Sequence, residues 1–301
     1  MKNARANVAD ALPADHPRAS TFADYVSLTK PRLNFLVVLT SAAGYYLGVT
    51  GSPDLTKMAQ AVIGTALVAG GSAVLNQVYE RDTDARMRRT RLRPLPDQRV
   101  APPDAAIYGL VLSAAGLGIL AWSTNWVAAA LAATTLAIYL LIYTPMKRTS
   151  NLSTLVGAVP GALPAVIGWS AARGDIAIAG WTLFAIVFLW RIPHFMAIAW
   201  MYRDDYRSAG FPMLPVVEPD GLRTGQQALL YSAALLPVSI GPSVMGLAGW
   251  VYFWLALVLG IILLVLSARF ARERSEQSAR ILFFASIIYL PLIWAVMVLD
   301  H

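Results

Sequence analysis

Polar and apolar positions in this chain are segregated on a long scale. Runs long enough to cross a bilayer core as helix, about 20 residues, are separated by short stretches of charge, Pro and Gly. Nine such runs stand at residues 33–49, 58–79, 105–121, 126–143, 152–172, 181–202, 226–247, 250–268 and 281–299. A lipid-spanning segment must satisfy its own backbone hydrogen bonds, and runs of this length do so as helices. The pattern therefore predicts an all-α polytopic membrane protein, a bundle of nine transmembrane helices.

Composition narrows the class further. Apolar residues make up 57% and charged residues 14%, against about 45–50% and about 25% in soluble domains, which excludes an ordinary water-soluble enzyme. The formal charge of +7 does not point to nucleic acid, because the basic residues lie in short blocks between apolar runs. The absence of cysteine excludes disulfide frameworks, zinc ribbons, iron–sulfur clusters and thiol nucleophiles. A metal would have to be held by oxygen or by one of three histidines.

Positive charge also orients the bundle. With the N-terminus cytoplasmic, 21 of the 24 Lys and Arg residues fall in inner segments, while the outer loops hold Lys57 and Arg173, and Arg191 lies inside a run. Dropping one helix would scramble this parity, so the positive-inside rule supports nine crossings and places the C-terminus outside. Residues 1–25 read as a disordered cytoplasmic tail without the apolar core of a secretory signal. Residues 26–301 form a single transmembrane domain, with two polar cytoplasmic loops, 81–103 and 203–225, as the places for chemistry.

The second run ends in Asn76, Glu80 and Asp84, spaced i, i+4, i+8, which puts three oxygen ligands on one helical face. Oxygen donors beside water suit Mg²⁺. The bland alternative makes Glu80, Asp82 and Asp84 solvated counterions of Arg81, Arg86, Arg88 and Arg89. Adjacency favours the sharper reading: the acidic face runs directly into an arginine-rich loop with Arg89 and Arg93, and guanidinium forks fit phosphate oxygens. Lys147 and Arg148, at the inner end of the fourth run, either add phosphate contacts or anchor the helix. A second polar cluster holds Arg191, Pro193 and His194, followed by Asp204 and Asp205. A lone intramembrane histidine is more often a helix-to-helix hydrogen-bonding group than a ligand. Two acidic helix ends opening to one side could nonetheless share metal ions bridged by a diphosphate. The fifth run, with Gly157, Pro160, Gly161, Pro164 and Gly168, has a small, kinked face that permits close packing or leaves room for a large ligand. Tryptophans and tyrosines at helix ends read as interfacial anchors.

At these residues the chain resembles the UbiA-type intramembrane prenyltransferases, whose first acidic motif stands here as Asn76, Glu80 and Asp84. It is similar more narrowly to the haem-modifying branch. That likeness rests on Lys30-Pro31-Arg32, on Met87, Arg89, Thr90, Arg93, Pro94, Leu95 and Pro96, and on Tyr143-Thr144-Pro145 with Lys147 and Arg148. It continues in Pro193-His194-Phe195, Asp205-Tyr206 and Met213-Leu214-Pro215. The resemblance implies transfer of a farnesyl group from farnesyl diphosphate to the 2-vinyl group of haem B, with addition of water, in a bacterial inner membrane. Asn76, Glu80, Asp84 and Asp205 would be catalytic and, with Asp204, would bind Mg²⁺. Arg89, Arg93, Lys147 and Arg148 would hold the diphosphate, and His194 and Arg191 would face the haem. Haem-copper oxidase assembly factors would be partners.

Two departures stand out. Arg191 occupies a position where this branch commonly has an uncharged residue, so its charge either alters acceptor contacts or pairs with an acid. The second motif lacks the paired acids of quinone-type relatives, which points away from an aromatic or quinone-precursor acceptor. A proton-coupled transporter, the alternative from another class, would carry its acids nearer the bilayer midplane.

Overall fold

The computed structural model describes residues 20–301, and every regular element in it is helical. Of the tail expected over 1–25, residues 1–19 lie outside the described residues, and from Phe22 the chain is already helical. α1 (Phe22–Leu28) starts in a reciprocal cap in which the Thr21 hydroxyl accepts from the Asp24 backbone N–H and the Asp24 carboxylate accepts from that of Thr21. Asp24 also pairs with Arg99, tying this helix to the first polar loop.

Then follow α2 (Pro31–Gly48), α3 (Leu55–Asp84), α4 (Pro102–Ser123) and α5 (Trp126–Ala137). A π-helical turn (Ile138–Tyr143) carries α5 into α6 (Thr144–Met146). The rest are α7 (Ser153–Arg173), α8 (Ile178–Met201), α9 (Arg203–Ser208), α10 (Leu214–Val217), α11 (Leu222–Val244), α12 (Trp250–Glu273) and α13 (Glu276–Leu299). A helix stands at each of the nine predicted runs. Among the described residues, eight helices are long and apolar enough to cross a membrane, which makes this a multi-pass membrane protein. α2 is not one of the eight. Arg32 and Asn34 occupy its first turn, and the face it buries includes Thr40, Ser41 and Gly44, so it is lined for contact with protein and cavity more than with lipid.

α7 is the hub, packing on α2, α3, α5 and α8, and small residues make its closest approach possible. A Cβ built on Gly168 would collide with the Ser41 carbonyl oxygen of α2, and one on Gly44 with that of Ala165. Backbones this close gain packing that lipid tails cannot replace. Large apolar side chains such as Leu141, Trp250 and Val251 face outward.

α3 fixes the position of the site. Its 30 residues extend about 45 Å at 1.5 Å per residue, well beyond a hydrocarbon core of about 30 Å. The run predicted over 58–79 therefore continues as helix through Glu80 and Asp84, because hydropathy marks where the apolar surface ends and not where the helix does. The two polar loops meet above this end. Met87 packs with Ala209, Phe211 and Met213, while Leu95 and Val100 pack with Leu28 and Val74. The loop expected over 203–225 holds α9, α10 and the first turn of α11.

Candidate functional site

The face predicted at the end of α3 lines a polar chamber. Asn76, Glu80 and Asp84 are all at most 2% exposed, and buried carboxylates need partners. Lys147 Nζ donates to both Glu80 oxygens at 3.0 Å, and Arg93 Nη1 donates to Asp84 Oδ2 at 2.7 Å. Asn76 Nδ2 donates to Thr144 Oγ1 at 3.1 Å, and that hydroxyl donates to the Tyr139 carbonyl at 2.7 Å. Asn76 itself lines the chamber, and its amide oxygen accepts no hydrogen bond among the described residues. The Thr90 hydroxyl donates to the Asp84 carbonyl, closing the arginine loop over the helix end. Burial alone would push Lys147 down, but Tyr143 and the Glu80 carboxylate outweigh it and hold the ammonium above the usual lysine range.

Two of the four predicted phosphate-binding cations, Arg93 and Lys147, are thus bonded to the acids, and a third, Arg89, joins them in the chamber wall. Arg89 lies over the rings of Tyr202 and Tyr206, 5.2 and 5.9 Å from their centroids. Arg148 is not brought to the chamber. It donates to the Tyr79 carbonyl at 3.0 Å and stacks on the Tyr79 ring, completing the outer face of α3. Arg148→Ala is accordingly expected to leave the affinity for inorganic diphosphate within about twofold and to lower stability by about 1 kcal/mol, the scale of one hydrogen bond. Titration calorimetry beside a melting curve checks this, and a tenfold loss of affinity would return Arg148 to the site.

The second acidic cluster does not line the chamber that holds the first. α8 stops at Met201, the chain bends at Tyr202, and Asp204 and Asp205 begin α9 in the wall of a shallow cavity with Arg88 and with Arg89, which also lines the chamber. Asp204 is exposed and pairs with Arg207 at 3.0 Å. Among the described residues no group of three or more His, Asp or Glu is arranged to hold a metal. The carboxylates in the chamber wall are those of Glu80 and Asp84, and Asn76 adds an amide beside them.

An apolar cavity of about 170 Å³ opens beneath the chamber, walled by Val37, Val68, Ala69 and Ala132. A third, of about 290 Å³, lies along α8 and includes Trp190, Arg191, His194 and Phe195. Leu33 and Tyr139 line all three spaces, so the polar chamber and both apolar cavities meet there. His194 is stacked between Trp190 and Phe283, with centroids 4.8 and 5.1 Å away. Its Nδ1 lies 2.8 Å from Ser286 Oγ. That hydroxyl spends its proton on the Phe283 carbonyl at 2.7 Å and so accepts from Nδ1–H, which leaves the lone pair on His194 Nε2. Arg191 pairs with no acid among the described residues.

Residues with no sequence-derived role also line these walls. Lys30 adopts a left-handed backbone with φ 50° and borders both the chamber and the apolar cavity. Burial, and then repulsion from Arg93, push its ammonium down to about 7 against the pull of Glu80 and Asp84. Tyr139 and Tyr143 stack at 5.3 Å where the π-helical turn widens α5. Their i, i+4 spacing was visible, but it is equally the spacing of interfacial anchors.

Comparison with protein families matches residues 37–288 to the UbiA prenyltransferase family. Among curated relatives, the protoheme IX farnesyltransferase of Solibacter usitatus is 46% identical, the alignment covering 92% of this chain and 98% of the relative. That of Koribacter versatilis is 44% identical, with 94% of each covered. Two solved structures share the fold. A digeranylgeranylglyceryl phosphate synthase has a TM-score of 0.78 at 15% identity, covering 92% of this chain and 97% of its own. A UbiA homolog from Archaeoglobus fulgidus bound to GPP and Mg²⁺ has a TM-score of 0.66 at 18% identity, covering 91% and 99%.

Proposed function

The chain belongs to the UbiA prenyltransferase family, and from that premise we propose that it farnesylates haem B. In this reaction the farnesyl group of farnesyl diphosphate passes to the 2-vinyl group of protohaem IX, water adds, and haem O and diphosphate result. The setting would be a bacterial inner membrane, with the polar chamber on the cytoplasmic side. The observation that carries this reading is the meeting of the three spaces at Leu33 and Tyr139. A polar headgroup, an isoprenoid tail and a flat acceptor each have a place around one junction. The relatives' name supports haem as acceptor.

The donor set fits a hard divalent ion: two buried carboxylates and a free amide oxygen on one helical face. Asn76, Glu80 and Asp84 would hold Mg²⁺, which supplies Lewis-acid neutralisation of the diphosphate when bound. Arg89, Arg93 and Lys147 bind diphosphate oxygens and are already in place as negative charge gathers on the leaving group. As the allylic C–O bond breaks, the stacked faces of Tyr139 and Tyr143 favour the positive charge left on the farnesyl carbon. The apolar walls exclude water from it. The terminal vinyl carbon attacks that carbon, and water then adds to the adjacent vinyl carbon and gives up a proton. The product would supply a haem-copper oxidase.

Comparing the masses of haems extracted from host membranes with and without the protein tests the proposal. A farnesylated, hydroxylated haem confined to the former is expected, and identical pigments would contradict it. His194 adds a more local prediction. With a lone pair on Nε2 and its ring in the wall of the acceptor cavity, His194 would serve as an iron ligand. His194→Ala should shift the absorption bands of bound haem and weaken its binding while leaving farnesyl diphosphate affinity unchanged. An unshifted spectrum in a less stable protein would make His194 a packing residue.

A further inference from the structure

Arg191 is a cation placed where the fold supplies no anion. It sits ten residues before the end of α8 at Met201, about 15 Å along the helix axis, half-buried in the walls of two cavities. Among the described residues, five buried side-chain nitrogen or oxygen atoms lack a hydrogen-bond partner, and Arg191 Nε is the one that belongs to a charged group. An unpaired charge within a membrane bundle is costly, and such groups mark ligand sites or pathways.

The fold nevertheless holds this guanidinium in place. A Cβ built on Gly161 of α7 would collide with Arg191 Nη1 and Cζ, so glycine is what lets the group rest against the α7 backbone. On the other side its Cζ lies 5.1 Å from the centroid of Phe195. Cradled between glycine and a ring face, the planar fork keeps its edge for a ligand. Arg191, His194 and Phe195 are spaced i, i+3, i+4 and share one face of α8, which lines the acceptor cavity. Arg191 is absent from the chamber wall that carries Asn76, Glu80 and Asp84, where Arg89, Arg93 and Lys147 stand ready for the diphosphate.

We infer that Arg191 is a specificity residue that binds a carboxylate at the edge of the acceptor, fixing a flat aromatic ring system within the cavity of His194 and Trp190. The inference rests on the acceptor reading above and deepens it by naming the group recognised. A guanidinium fork accepts a carboxylate through two parallel hydrogen bonds. Pairing also removes the free positive charge that would otherwise oppose a carbocation forming at the adjoining cavity, which Arg191 lines as well.

The test compares protohaem IX with its dimethyl ester, in which both carboxylates are masked, by absorbance titration of the full chain in lipid nanodiscs. Esterification also changes partitioning into lipid, so the deciding quantity is the acid-to-ester affinity ratio, compared between wild type and variants. The ratio is expected to fall by about tenfold in Arg191→Gln, the scale of one charged hydrogen-bonding contact. Gly161→Ala, which keeps the charge and displaces the fork, should lower it as well and serves if the first variant does not fold. An unchanged ratio in both variants would overturn the inference and leave the acceptor reading standing. So would an Arg191→Gln protein that lost farnesyl diphosphate affinity while keeping its ratio. If wild type bound neither porphyrin, the acceptor reading would fall, and this inference with it.

Discussion

Replacing Asp84 with alanine is expected to lower turnover on the order of 10³-fold, the several kcal/mol that a Lewis-acid ion and its charge contribute at a departing diphosphate. The loss should not come from unfolding. Asp84 is buried, but its partner Arg93 keeps 26% of its side-chain surface exposed at the chamber wall, so the freed guanidinium can be solvated there. The helix end also keeps the bond from Thr90 to the Asp84 carbonyl, which the substitution does not remove. Asp84→Asn, which preserves volume and a hydrogen bond to Arg93 but not the anion, should be almost as inactive. The check is steady-state turnover beside a thermal transition for each variant. Near-normal activity in Asp84→Ala, or activity that survives complete chelation of divalent ions, would remove the metal assignment.

The second large effect belongs to Lys147. Its ammonium bonds both oxygens of Glu80, and the side chains are 14% and 3% exposed. Lys147→Met removes the counterion and leaves a buried carboxylate to stay charged at high cost or to take up a proton. Breaking a buried pair from one side costs about 3–5 kcal/mol, and the chamber's access to solvent reduces this to roughly 2 kcal/mol of stability. Turnover should fall on the order of 100-fold, because a fixed donor to the leaving group is lost as well. The double variant Lys147→Met with Glu80→Gln separates the two roles. It should regain most of the stability, since no unpaired charge remains, and none of the activity. A double variant as unstable as the single one would mean that Lys147 supports the fold through Phe211, 4.8 Å below its ammonium, more than through Glu80.

The long-range pattern carried most of the architecture. A helix stands at each of nine apolar runs because membrane length and backbone satisfaction leave few other solutions. The i, i+4, i+8 spacing located Asn76, Glu80 and Asp84 on one wall because α3 stays regular to its last turn. Where regularity stopped, so did legibility. Asp204 and Asp205 follow the bend at Tyr202 and line a cavity beside the chamber, and spacing counts residues without recording a change of direction. Arg148 and Lys147 are neighbours of identical charge, yet Lys147 faces the chamber and Arg148 the outer side of α3. Lys30 entered only as part of a motif, since nothing in its neighbourhood shows the left-handed turn that aims it at the junction. Tyr139 and Tyr143 were hidden by ambiguity, because aromatic residues at helix ends also anchor helices in lipid.

The proposed farnesyl transfer to haem needs the polar chamber and the apolar cavities meeting it at Tyr139 to work as a single site. The most direct measurement incubates the purified protein in nanodiscs with farnesyl diphosphate, haem B and Mg²⁺, and follows haem mass and diphosphate release together. A haem heavier by one farnesyl group and one water, formed in step with diphosphate and abolished by chelation, is expected. Diphosphate released with farnesol while haem B stays unaltered would contradict it.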